Sequence, residues 1–223
     1  MEGSIKGRIL KRNMKFWGKN AETMIGVLLM FVLFYGVVFS AMSSESSFID
    51  TVMGYGSMCG LMFGYLIPIS YGGSYLSLAI GFGSGRREAV WGTQFMNLLF
   101  GIQIVVIFAI GFAAKGGFAD YGAGLAVVFA ESLVMALALG QLSSAVHLKF
   151  GAKGYVIALV ISISLMVAAG IACGISGIFG NLAVSFLGNI TGYLVAGAIV
   201  AVILYGVSVI VLMRVVDHYE VHR

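Results

Sequence analysis

The chain has 223 residues, of which 60% are hydrophobic and only 10% charged, and its mean hydropathy is +1.03. Soluble domains carry about a quarter charged residues, so the composition places this chain in a membrane. The formal charge of +4 sits in short pieces between apolar runs rather than on a folded basic face, which argues against a nucleic-acid-binding module.

In chain order, residues 1–20 set Lys6, Arg8, Lys11, Arg12, Lys15 and Lys19 among Ile5, Ile9, Leu10, Met14, Phe16 and Trp17. Projected at about 100° per residue, the apolar set covers one half of a helix and every basic residue but Lys6 the other. This predicts an amphipathic helix lying on a basic-seeking lipid surface, with Phe16 and Trp17 as interfacial anchors. Residues 24–40 form a first span, too long for the apolar core of a cleaved signal, which is roughly 7 to 15 residues. An acidic stretch, 43–50, contains no Lys or Arg and precedes span two at 52–76. Pro68, the one proline, falls in that span and predicts a kink.

A short link, 77–91, follows with Gly81-x-Gly83-x-Gly85 and the pair Arg86-Arg87. Span three covers 92–114 and span four 122–146; the link 147–153 holds His147, Lys149 and Lys153. Span five covers 155–175, an uncharged apolar segment occupies 176–189, span six runs over 191–213, and a polar tail, 214–223, ends the chain. The segment 176–189 is too apolar for a free loop and too short to cross twice, so a short helix in the outer leaflet is expected there. The N-terminal segment has six Lys and Arg, and the 77–91 link, the 147–153 link and the region from Arg214 onward have two each, against Lys115 alone on the opposite side. The apolar runs predict six spans, and the positive-inside rule places both termini and both basic links in the cytoplasm.

Little in the chain has the form of catalytic chemistry. Cys59 and Cys173 lie in separate apolar runs without ligand-like neighbours, so no disulfide framework, metal site or cofactor site is expected. The glycine-rich turn lacks the Gly-Lys-Ser/Thr of a nucleotide loop. Gly174-x-Ser176-Gly177 matches an intramembrane serine protease pattern, but His147, His218 and His222 all lie in links or the tail, leaving Ser176 without a base. No internal repeat suggests a transporter made of two symmetric halves.

Three intramembrane features remain. Gly56, Gly60 and Gly64 in span two, and Gly170 and Gly174 in span five, make small-residue stripes suited to close helix packing, within one subunit or between two; the second pair is the candidate dimer interface. Glu131 lies about nine residues into span four, where an acid costs roughly 2.5 to 3.5 kcal/mol on insertion scales. It either lines a substrate path or bonds to Ser132, Asn97, Gln103 or Gln141 to hold spans three and four together.

Taken as a layout, the basic amphipathic start, the six spans, the glycine-and-arginine link after span two and the apolar outer segment resemble the permease subunits of type-2 ABC transporters of the exporter class. The local likeness is in Gly83-Ser84-Gly85-Arg86-Arg87-Glu88-Ala89. That resemblance implies an all-α membrane domain whose 77–91 link is a coupling helix seated on a separate ATP-binding subunit, with Ser84 as its N-cap, Arg86 and Arg87 on the partner, Glu88 in the first turn and Trp91 at the interface. It further implies no catalysis in this chain, ATP and Mg held by the partner, and a second permease copy or paralogue. The cargo would be a drug, antimicrobial peptide or other amphipath, and the location a prokaryotic inner membrane. Asn97, Gln103, Glu131 and Gln141 are then candidate cargo-path residues. An ATPase-independent transporter or assembly factor using Glu131 is the rival reading.

Overall fold

The computed structural model describes residues 2–42, 48–81, 84–114, 116, 123–175 and 190–218, with the backbone alone described at residues 2–10, 12–13, 40, 42, 50, 73–74, 77, 162–163, 165–175, 190 and 193. Every described element is helical: α1 (Glu2–Met42), α2 (Phe48–Ser70), a π-helical turn (Tyr71–Tyr75), α3 (Leu76–Gly81), α4 (Arg86–Ala114), α5 (Gly124–Ile175) and α6 (Ile190–Asp217). Among the described residues, five helices are long and apolar enough to cross a membrane: Met14–Phe39, Thr51–Ser70, Arg86–Ala114, Gly124–Ile161 and Leu194–Asp217. The chain is thus an all-α, multi-pass membrane protein. Met30, Phe34, Ile110, Val202 and Ile203 stand exposed around it, the arrangement that lipid satisfies.

The expected surface helix and first span form one unbroken element of 41 residues. Trp17, Ala21, Leu28 and Val32, spaced 4, 7 and 4 apart, make a buried stripe along it. Trp17 is therefore a core residue, not an interfacial anchor. Its ring lies 6.1 Å from that of Tyr71, and its indole occupies the space where a side chain at Gly92 would begin, so α1 and α4 meet at a glycine. Phe16 remains exposed.

The glycine stripe of α2 is used inside the subunit. A Cβ on Gly56 would meet Val32 of α1 at 3.3 Å, one on Gly60 would meet Ile104 of α4 at 3.2 Å, and one on Gly64 would meet Leu133 of α5 at 2.7 Å. Successive i+4 steps rotate by about 40°, so one stripe serves three neighbours in turn. Pro68 does not stop α2; the irregularity falls just after it, as the π-helical turn from Tyr71 to Tyr75. Gly72 in that turn packs on Ser144, and Gly140 packs on the Tyr65 carbonyl, bringing α2 and α5 backbone to backbone.

Gly151 breaks α5 with φ 63° and ψ −148°, a conformation essentially reserved for glycine. The break folds the chain back. The Tyr65 hydroxyl lies 3.2 Å from Ser143 Oγ and 3.5 Å from the Ala158 carbonyl oxygen, one on each side of Gly151. A straight helix would hold those two residues roughly 22 Å apart. Gly154 completes the hairpin, because a Cβ there would fall 2.5 Å from the Val146 carbonyl oxygen. The expected 147–153 link is accordingly helical turns on either side of one glycine rather than a loop.

A second buried cluster joins Leu76, Ala89, Val90, Ala145, Leu148, Leu212 and Val216. With the Trp17–Tyr71–Gly92 contact, it gathers the α3 end, the α4 start, the α5 hairpin and the α6 end at one end of the molecule. The segments bearing Lys15, Lys19, Arg86, Arg87, Lys149, Lys153 and Arg214 therefore share that end. The segment 176–189 lies outside the described residues.

Candidate functional site

Among the described residues, one polar constellation lies at the basic end and another between α4, α5 and α6. At the basic end, Arg86 and Arg87 are the first two residues of α4 itself; no separate helix carries them. The Ser84 amide donates to the Ala79 carbonyl at 3.0 Å, the six-to-one bond that closes a helix C-terminus. Gly85, rather than Ser84, immediately precedes the first helical residue. Its carbonyl accepts from Ala89 N–H at 2.9 Å, and its own N–H donates to Glu88 Oε2 at 3.3 Å, the reciprocal half of a capping box. Ser84 is buried, whereas Glu88 and Trp91 are exposed.

Both arginines reach the last helix. Arg86 Nη1 donates to the Asp217 carbonyl oxygen at 2.7 Å, occupying a carbonyl at the helix end where a cation is favoured. Arg87 Nη2 pairs with Asp217 Oδ2 at 3.2 Å. With Arg87 76% exposed, this pair contributes little to stability, and most of its guanidinium remains open to a partner.

Within the helices, Gln94 and Gln141 exchange both amide hydrogen bonds, at 3.3 and 3.0 Å. The Tyr205 hydroxyl donates to Gln94 Oε1 at 2.7 Å, and Ser208 Oγ shares its proton between the Tyr205 carbonyl at 2.7 Å and Gln141 Oε1 at 3.2 Å. Four side chains thus tie α4, α5 and α6 together where lipid offers no hydrophobic drive. Of these only Gln141 was expected from sequence. Gln94, Tyr205 and Ser208 meet the same criterion that singled out Asn97, a polar group in an apolar run, but their importance rests on which helix face each occupies.

The other expected residues do not join this network. Asn97 is 1% exposed, and neither its Nδ2 nor its Oδ1 makes a hydrogen bond of good geometry, the Tyr205 hydroxyl being its polar neighbour. Gln103 Oε1 and Glu131 Oε1 are buried and equally unpartnered. Ser132 Oγ donates instead to the Val128 carbonyl at 2.8 Å, and Gln141 is engaged with Gln94. The expected bracing of Glu131 by Ser132, Asn97, Gln103 or Gln141 is therefore not formed. Its carboxylate packs against Gly197 of α6, where any side chain would collide with it.

Two adjoining grooves, open at the outer face of the bundle, take in Asn97 and Glu131 but not Gln103. One of about 410 Å³ is walled by Asn97, Ile102, Val106, Leu137 and Tyr205; another of about 400 Å³ is walled by Glu131, Val127, Ala198 and Val202. They share Val105, Ala130 and Val134. Each volume falls in the range of small-molecule sites, apolar with a few polar groups. Among the described residues no cluster of His, Cys, Asp and Glu could hold a metal ion. Gly170 and Gly174 lie on described helical backbone, but their packing is outside what is described. No family model, curated protein or solved structure matches the chain.

Proposed function

We propose that this chain is the membrane-spanning permease subunit of an ATP-driven transporter resembling the type-2 ABC exporters, acting on an amphipathic cargo. The observation that carries the reading is the start of α4. It is a capped helix end with two exposed arginines, set at the end of the molecule where the basic segments converge. A cytoplasmic ATP-binding subunit that grips Arg86, Arg87, Glu88 and Trp91 would move α4 directly, since the handle and the span are one helix.

In this reading the α5 hairpin at Gly151 supplies two crossings, making six with both termini inside, in a prokaryotic inner membrane. The mechanism is alternating access in a pair of permeases, either two copies or a paralogous couple, with two ATPases. ATP and Mg bind the ATPases, and this chain supplies no catalytic group. The test is co-purification with the ATP-binding subunit and transport by the reconstituted complex. Arg86→Glu with Arg87→Glu is expected to abolish both association and transport; unchanged association and transport would sink the reading.

A second reading is favoured by the unpartnered Glu131 oxygen, an ion-coupled carrier independent of any ATPase. It predicts uptake or efflux driven by an ion gradient in vesicles containing this chain alone, lost in Glu131→Gln. Transport that needs ATP and a second polypeptide would eliminate it.

A further inference from the structure

We propose that the two adjoining open grooves between α4, the first arm of α5 and α6 together bind a lipophilic ammonium cation carrying a second polar group, with the charge at Glu131 and the polar group at Asn97. The inference deepens the permease reading by naming a cargo class. Binding is measured on this chain alone, so its failure overturns the cargo class while the ATPase-association test stands or falls separately.

Three observations meet here. Glu131 Oε1 is buried without a hydrogen bond, and its carboxylate backs onto Gly197, so α6 leaves room for the acid and supplies no positive charge. The described residues walling the two grooves include no Lys, Arg or His, leaving a cationic ligand as the natural counter-charge. Asn97 is a second, independent orphan: an amide 1% exposed, in the groove wall, with neither polar atom in a hydrogen bond of good geometry. A native structure rarely leaves such a group unsatisfied unless something else supplies the bond.

Their spacing gives the ligand a shape. The Gln94–Gln141 pair fixes the antiparallel register of α4 against α5, which sets Glu131 near the level of Ile104, about seven residues along α4 from Asn97. At about 1.5 Å per residue, the two polar groups are roughly 10 Å apart along the helix axis. Between them lie the shared apolar residues Val105, Ala130 and Val134. An ammonium group, an apolar body and a hydroxyl or carbonyl at that distance complement the site. A neutral lipid tail would leave both orphans unpaired.

The experiment is calorimetric titration of the full chain in lipid nanodiscs, against empty nanodiscs, with three eight-carbon probes: protonated octylamine, the protonated ω-amino alcohol, and octanol. Both cations are expected to bind saturably, the amino alcohol more tightly, and octanol about tenfold or more weakly, as the loss of a charge-assisted bond requires. Glu131→Gln is expected to weaken both cations by about tenfold and leave octanol unchanged, while Glu131→Asp retains cation preference. Asn97→Leu should erase the advantage of the amino alcohol over octylamine. Should Glu131→Gln fail to fold, Val106→Trp fills the groove from its exposed lip and should abolish saturable binding of both cations. Equal binding of octanol and the amines, equal affinity in wild type and Glu131→Gln, or no saturable binding because lipid or a second copy occupies the groove, would each overturn the proposal.

Discussion

Gln94 and Gln141 show how much one buried side chain depends on its partners. Truncating either strips the other's amide of its main partner, and losing Gln94 also strands the Tyr205 hydroxyl, whereas Ser208 keeps the Tyr205 carbonyl as acceptor. Gln94→Leu should therefore lower stability by about 1–2 kcal/mol, with Gln94→Leu/Gln141→Leu less destabilised than the sum of the two single changes, because stranding costs more than a net hydrogen bond contributes. Thermal unfolding of the four proteins in one detergent checks this; strict additivity would show that the pair is not coupled. Asn97 and Glu131 sit a short way off and obey a different logic. The Asn97 amide and Glu131 Oε1 already lack partners, so Asn97→Leu should cost little stability while changing what the groove accepts.

Helices in this protein are specified chiefly by where they stop or bend, since most are apolar around much of their circumference and carry little directional pattern. Gly151 is the sharpest of these signals. Its φ of 63° with ψ −148° leaves a side chain strained although the space around it is open, so the cost of substitution is conformational rather than steric. Gly151→Ala is expected to destabilise by about 1–3 kcal/mol, read as a lower midpoint of thermal unfolding in detergent. An unchanged midpoint would mean that the hairpin tolerates another backbone path. The glycine was visible in sequence as the one glycine of a basic link; that it reverses the chain was not. The π-helical turn after Pro68 has the same status. A proline in a span announces an irregularity, while the packing of Gly72 on Ser144 settles where it is absorbed.

For the whole molecule, charge asymmetry and packing agree on one end. The links that sequence counting assigns to the cytoplasm are held together there by the Leu76–Leu212 cluster and by Arg86 and Arg87 on Asp217. Orientation is open to a direct test in a variant whose cysteines are replaced by serine. A membrane-impermeant thiol reagent applied to intact cells should label Ala123→Cys, and should reach Lys149→Cys only after the membrane is permeabilised. The reverse pattern would invert the topology and remove the arginine turn from any cytoplasmic partner.

By itself the sequence determined the solvent of this protein, its all-helical multi-pass character and the segments that carry its basic residues. Those properties follow from local composition: an apolar run of sufficient length is stable only in lipid, whatever it packs against. Only tertiary structure decided that Trp17 is core, that the α2 glycines serve three helices within one subunit, and that Gln94 meets Gln141 while Glu131 meets no amide. Those outcomes depend on the rotation and register of each helix against its neighbours. A span apolar on all sides does not encode its own azimuth, so the polar residues of the site were individually visible in the chain, but their partners were not.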